Sequence, residues 1–224
     1  LVDEGFATQK DLDNVIANVQ KVMESEFEQA KTWKTPEFDW LSSRWKGFLS
    51  PYQHARIKQT GFDKEKLREI GLKISSLPEN INIHKQLKRI FSARHESIVA
   101  GKGIDWGTAE ALAFGTLLVE GNHVRLTGQD VERGTFSHRH AVVVDQSTGE
   151  KYTPLNHITK FTSPTAPMSK DRAPETQAEF TVRNSILSEF GVLGFEAGYS
   201  LENPNMLVCW EAQFGDFVNG AQVT

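Results

Sequence analysis

The chain has 224 residues, 38% hydrophobic and 24% charged, as in an ordinary soluble globular protein of one large domain or one and a half. Its 25 Lys+Arg and 29 Asp+Glu leave −4, too even a balance for a general nucleic-acid binder. The single cysteine, Cys209, excludes a disulfide framework or a Cys-rich metal site, and no apolar run is long enough to span a membrane.

Charge is divided unevenly along the chain. Residues 1–100 hold 16 Lys+Arg and 14 Asp+Glu (+2), and residues 101–224 hold 9 and 15 (−6). The first part reads as a polar, helical region and the second as an α/β domain, so the boundary is set at 100/101. Leu1 takes the place of an initiator Met, and Thr224 directly follows an apolar, Gly-containing stretch. The sequence therefore reads as an internal piece of a longer, intracellular polypeptide.

In chain order, Thr8 is a natural N-cap, with Asp11 three positions on in a capping-box-like arrangement. Leu12, Val15, Ile16, Val19, Val22, Met23 and Phe27 then recur at helical spacing, and the expectation is a long helix packing against its own protein. A connection follows with Trp33, Trp40, Trp45, Pro36 and Pro51; its aromatic residues suggest an ordered segment lying on another domain. Asp63 can cap a short helix through Leu67, Ile70 and Ile74, Pro78 breaks the chain, and His84 to Phe91 marks another helix. Lys85, Lys88 and Arg89 in it read as a solvated face rather than a phosphate patch.

From Gly101 the pattern changes. Asp105 caps a nearly all-apolar helix through Ala109, Leu112, Ala113 and Leu117 that must be covered on most sides. Strands are expected at His123 to Leu126, Ala141 to Asp145 and Met206 to Trp210, with a Pro-containing loop over 159–179. Helices are expected from Asn184 to Ser200 and from about Phe214. This alternation predicts an α/β layer, a mainly parallel sheet with helices on both faces.

Four places carry residues suited to chemistry. His138 and His140 in Ser137-His138-Arg139-His140 project to one side of an extended segment, with His123 and His157 as possible companions for a metal; hydrogen-bonded structural or substrate-facing histidines fit the same spacing. Gly128-Gln129-Asp130 closes a strand where α/β sheets gather ligands, although a turn made only for folding looks the same. Glu189 lies among apolar and small residues from Ile186 to Phe195, which suggests a buried carboxyl. It either pairs with an Arg or is held for proton work on a ligand nitrogen. Phe214 and Phe217, one helical turn apart, form a core contact or a platform for a flat heteroaromatic ring.

Taken together and in order, these segments resemble the thiamine-diphosphate-dependent dehydrogenase (first) component of the 2-oxoglutarate dehydrogenase complex, in the transketolase-like superfamily. The resemblance is carried by three runs. They are Val-Arg-Leu-Thr-Gly-Gln-Asp-Val-Glu-Arg-Gly-Thr-Phe-Ser-His-Arg-His over 124–140, Leu-Ser-Glu-Phe-Gly-Val-Leu-Gly-Phe-Glu over 187–196, and Trp-Glu-Ala-Gln-Phe-Gly-Asp-Phe over 210–217. It is strong over 105–224, weaker over about 61–94 and weakest over 1–60, which resembles that enzyme's interdomain region, and residues 161–178 look like an insertion.

The resemblance implies that 101–224 is most of a pyrimidine-binding domain, incomplete at its C-terminus, and that 1–100 is the helical linker before it. It implies a homodimer binding thiamine diphosphate and Mg²⁺ across its interface, with the aminopyrimidine in this domain. Glu189 would hydrogen-bond the pyrimidine nitrogen and carry the catalytic proton role. Phe214 and Phe217 would flank the pyrimidine, Gln129 would contact the cofactor from the neighbouring subunit, and His138 and His140 would face substrate. No protein ligand for a metal is expected here, because the family's Gly-Asp-Gly diphosphate–Mg²⁺ signature is absent from the sequence. The implied activity is decarboxylation of 2-oxoglutarate with transfer of the succinyl group to a lipoyl-bearing partner, in the citric acid cycle. The implied location is the mitochondrial matrix in a eukaryote or the cytoplasm in a bacterium. A 2-oxoadipate-preferring relative and a non-catalytic scaffold remain as alternatives, and the fragment alone is expected to be inactive.

Overall fold

The computed structural model describes residues 2, 4–34, 45, 48, 60–161, 176–213 and 221–224, and the chain divides into two compact units, 1–43 and 44–224. In the first, α1 (Gln9–Thr32) starts at the expected capping box: Thr8 Oγ1 accepts from the Asp11 amide while the Asp11 carboxylate accepts from the Thr8 amide. Its 24 residues span about 36 Å. The stripe from Leu12 to Phe27 is exposed, so the expected packing is not seen among the described residues.

The second unit is organised by the sheet. Strands β1 (Val124–Gly128), β6 (Phe180–Asn184) and β7 (Leu207–Glu211) lie in the order β6-β1-β7, and both pairings are parallel. Short pairs sit apart from it: β2 (Val143–Val144) with β3 (Lys151–Tyr152), and β4 (Lys160–Phe161) with β5 (Thr176–Gln177). Three helices precede the sheet, namely α2 (Lys64–Ser75), α3 (Lys85–Ala100) and α4 (Trp106–Val119), and α5 (Glu189–Glu202) crosses from β6 to β7. Asp63 and Asp105 cap α2 and α4 as the sequence suggests. The exposed Lys85, Lys88 and Arg89 match the solvated face expected of α3.

Alternation along β1 sends neighbours to opposite faces. Val124 and Leu126 enter the main core with Phe180, Val182, Phe114 and Leu118, which places α4 on that side. Arg125 points the other way and pairs with Glu196 of α5. Helices thus cover both faces of a parallel sheet, the predicted fold class.

Several elements differ from their expected bounds. β6 fills the gap between the expected loop (159–179) and the expected helix (from Asn184), where no strand was expected, because Phe180, Thr181 and Val182 alternate buried and half-buried beside β1. Helix α5 begins five residues later than expected, at its Ser188 cap. Only Val143 and Val144 of the segment 141–145 pair as a strand. Asp145 instead accepts from the amides of Asn82, Ser147 and Thr148, which closes a turn and lowers its carboxyl pKa. Trp45 Nε1 donates to the Leu201 carbonyl at 3.0 Å. Pro36, Trp40, Pro51, most of the 161–178 insertion and the helix expected from Phe214 fall outside the described residues.

Candidate active site

The three parallel strands end together, with Gly128 opposite Asn184 on one side and Glu211 on the other. Ligands collect at such a carboxyl edge because the chain leaves the sheet there in loops that can converge. β1 runs directly into Gln129. β6 leads through 185–187 to Ser188, whose Oγ accepts from the Gly191 amide and starts α5 at Glu189. The two meet: Gln129 Nε2 donates to Glu189 Oε1 at 3.0 Å, across 60 residues of sequence. Gly128, Leu187, Trp210, Glu211 and Gln213 complete a small cavity around this contact.

Glu189 is half-buried, less than its apolar neighbours suggested. The reason is position: it is the first residue of the helix, and Leu187 and Phe190 beside it are exposed rather than folded over it. Phe214 and Phe217 lie outside the described residues.

The histidine segment forms a second cluster at the same edge. Ser137 and His140 both adopt left-handed backbone conformations, φ 55° and 48°, which non-glycine residues rarely take. The turn they make is held from outside by Arg94, whose Nη2 donates to the carbonyls of His138 (2.7 Å) and Arg139 (2.9 Å). Gly107 permits this approach, since a Cβ there would lie 2.2 Å from the His138 carbonyl oxygen. Burial pushes the His140 pKa down, and the charges of Arg94, Arg133 and His138 push the same way, against the Ser137 carbonyl, which raises it. Its Nε2 lies 2.9 Å from the Ser137 carbonyl, which can only accept, so Nε2 carries the proton. His138 Nδ1 is buried and unpaired.

The four histidines named in the sequence do not come together in one cluster. His123 Nδ1 accepts from the Glu179 amide, His157 Nδ1 faces the Thr153 carbonyl, and His140 is engaged by Ser137. Among the described residues, a cluster with metal-ligand spacing combines His138 with Glu110 and Glu211, all ligand atoms within 4.8 Å. Both carboxylates there are already taken by Arg139.

Arg139 is the residue that sequence reasoning passed over. Only 5% of its side chain is exposed. Nε and Nη2 donate to Glu110 of α4 at 2.6 and 3.1 Å, and Nη1 donates to the Val131 carbonyl and to Glu211 Oε1 at 3.1 Å each. Nη2 also binds Glu211 Oε2. Burial alone would weaken the charge, but the hydrogen bonds from Glu211 and Glu110 outweigh it and leave the guanidinium pKa above its ordinary value. Its carboxylate partners are 29 and 72 residues away, so no local pattern marks it. The available signal was a lone Arg between two histidines in an acidic half of the chain.

Residues 102–223 match the pyrimidine-binding domain of transketolase. Similar proteins include 2-oxoglutarate dehydrogenase, mitochondrial, of Schizosaccharomyces pombe, 50% identical over 99% of this chain, and that of Saccharomyces cerevisiae, 46% identical over 100%. The 2-oxoglutarate dehydrogenase E1 component of Brucella ovis is 44% identical over 100% of the chain. In each case the chain covers 21% of the relative, about a fifth of its length. With more than half its residues matched to that domain, the chain belongs to the transketolase pyrimidine-binding domain family.

Proposed function

We infer that residues 101–224 form the pyrimidine-binding domain of a thiamine-diphosphate-dependent 2-oxo-acid dehydrogenase, and that 1–100 are the helical region leading into it. The observation that carries this reading is the Gln129–Glu189 contact at the carboxyl edge of the parallel sheet. A carboxyl group and a primary amide side by side offer both acceptors and donors, which suits the edge of a nitrogen heterocycle. The chemistry of these two side chains therefore suits the pyrimidine part of the cofactor. Glu189 would hold a proton at its carboxyl oxygen against the ring nitrogen, and Gln129 would orient that carboxyl. Phe214 and Phe217 would face the ring. The cofactor, when bound, supplies the electron sink for decarboxylation.

The sequence has no Gly-Asp-Gly, so the diphosphate and Mg²⁺ would be held by another domain, in a homodimer by the partner subunit. By this account the isolated chain holds half a site and is inactive. The names of the relatives support 2-oxoglutarate as substrate and a place in a multienzyme complex as its E1 component. The succinyl group would then pass to a lipoyl carrier on a partner subunit, with His138 and His140 facing substrate. The location would be the mitochondrial matrix if the source is eukaryotic, and the cytoplasm if bacterial.

The test is reduction of an artificial electron acceptor by the full-length polypeptide containing this chain, with and without thiamine diphosphate and Mg²⁺. Activity that needs both and favours 2-oxoglutarate over 2-oxoadipate is expected. Absence of activity with either acid in a folded preparation would leave a non-catalytic scaffold, and preference for 2-oxoadipate would overturn the substrate assignment.

A further inference from the structure

The Arg139 fork and the Gln129–Glu189 cavity share a residue. Glu211 lines that cavity, and its carboxylate is held by Arg139. Glu211 is also the last residue of β7, which pairs with β1 in the described sheet and whose five residues are exposed or half-buried. Burial therefore does little to fix the end of this strand. The fork does more, tying Glu211 to Glu110 on α4 and to the Val131 carbonyl just beyond β1.

We propose that Arg139 is a positioning residue for the site: its guanidinium holds Glu211 and the end of β7 in place, so that the cavity keeps its shape and Glu189 is the carboxylate left to face the ligand. This rests on the reading of that cavity as the pyrimidine half-site. The geometry requires a fork rather than a charge. Two carboxylates from two elements and a backbone carbonyl are met by separate N–H groups in one plane, which a lysine ammonium on a flexible stem cannot reproduce. Without the fork, Glu211 is an uncompensated carboxylate lining the same small cavity as Glu189, and like charges there repel. The same pairing supplies positive charge to both carboxylates of the Glu110–His138–Glu211 cluster.

The experiment uses the full-length polypeptide with Arg139→Lys, Arg139→Met, Glu211→Gln and the Arg139→Met/Glu211→Gln double substitution. Hydrogen exchange is followed first in the cofactor-free protein. Faster exchange in a peptide covering 206–213, with a peptide covering 112–118 of α4 unchanged, is the expected result for both Arg139 variants. Turnover at saturating thiamine diphosphate should fall about ten- to a hundredfold in each single variant. The double variant should fall no further than the worse single one, because both act through one contact. Arg139→Lys keeps the charge and most of the volume, so it decides the matter if Arg139→Met fails to fold. Unchanged exchange at 206–213, turnover restored by Lys, or losses that multiply in the double variant would overturn the proposal. If the parent protein shows no thiamine-dependent activity, the proposed function falls, while the exchange data still decide whether Arg139 holds β7.

Discussion

α4 and α5 flank the same three strands, yet one is seated by apolar packing and the other by an ion pair. On the α4 side, Phe114 stacks on Phe180 with ring centroids 5.6 Å apart, and Leu118 is fully buried against Val124 and Leu126. On the α5 side, Arg125 makes a two-point bond to the buried Glu196 at 2.7 and 2.8 Å and lies over the rings of Phe195 and Tyr199. Val192 is buried there, but Phe190, Phe195 and Leu201 keep half or more of their surface exposed. The α4 contact with the sheet is made by side chains buried among the described residues. The α5 face presents apolar surface next to Glu189, where the proposed homodimer would cover it.

This contrast can be broken from either side, and on stability the largest effect is expected at α4. Phe114→Ala removes a ring from the close-packed core and should cost about 3–5 kcal/mol, read as a drop in the urea midpoint. A loss under about 1 kcal/mol would mean that the α4 face is loosely packed. Glu196→Ala should cost somewhat less, about 3 kcal/mol, because it strands Arg125 without its partner. Replacing both members, Arg125→Met with Glu196→Leu, should recover much of that loss. If the double change is as harmful as the single one, α5 is not seated by the ion pair.

His140 sharpens the comparison at the loop between β1 and β2. Its pKa is lowered in the fold, so below its ordinary value the unfolded chain takes up a proton that the folded chain refuses. Stability from this group is full above about pH 6.5, the ordinary histidine value, and declines as pH falls toward the lowered one. His140→Gln should flatten the dependence of the melting temperature on pH between about 5 and 7. A variant that keeps the wild-type slope would place the effect on another group. The smallest change is expected at Phe190: Phe190→Ser should alter the chain's own stability by no more than about 0.5 kcal/mol. In the full-length protein it should weaken self-association measured by sedimentation; unaffected association would exclude this part of α5 from the proposed interface.

Much of the fold was legible in particular residues. Thr8 with Asp11, Asp63 and Asp105 marked helix starts because capping is local chemistry between residues two or three apart. β1 and β7 were found within a residue or two of their bounds, since short runs rich in Val and Leu between turn residues mark strands. β6 was hidden because Thr181, Arg183 and Asn184 dilute its apolar content after a Pro-containing stretch; what makes it a strand is pairing with residues 56 positions earlier. Glu189 and Gln129 were each singled out, but their contact depends on where Ser188 starts α5. Arg139 escaped notice because its partners are brought to it only by the finished sheet.

The most direct test of the account is turnover of 2-oxoglutarate by full-length protein carrying Glu189→Gln, at saturating thiamine diphosphate and Mg²⁺. The substitution keeps the shape and the contact with Gln129 while removing the ability to hold a proton. The expected result is a fall of about 10²- to 10⁴-fold in turnover with an unchanged circular dichroism spectrum. Turnover equal to that of the unmodified protein would contradict the assignment of the carboxyl edge as the catalytic half-site.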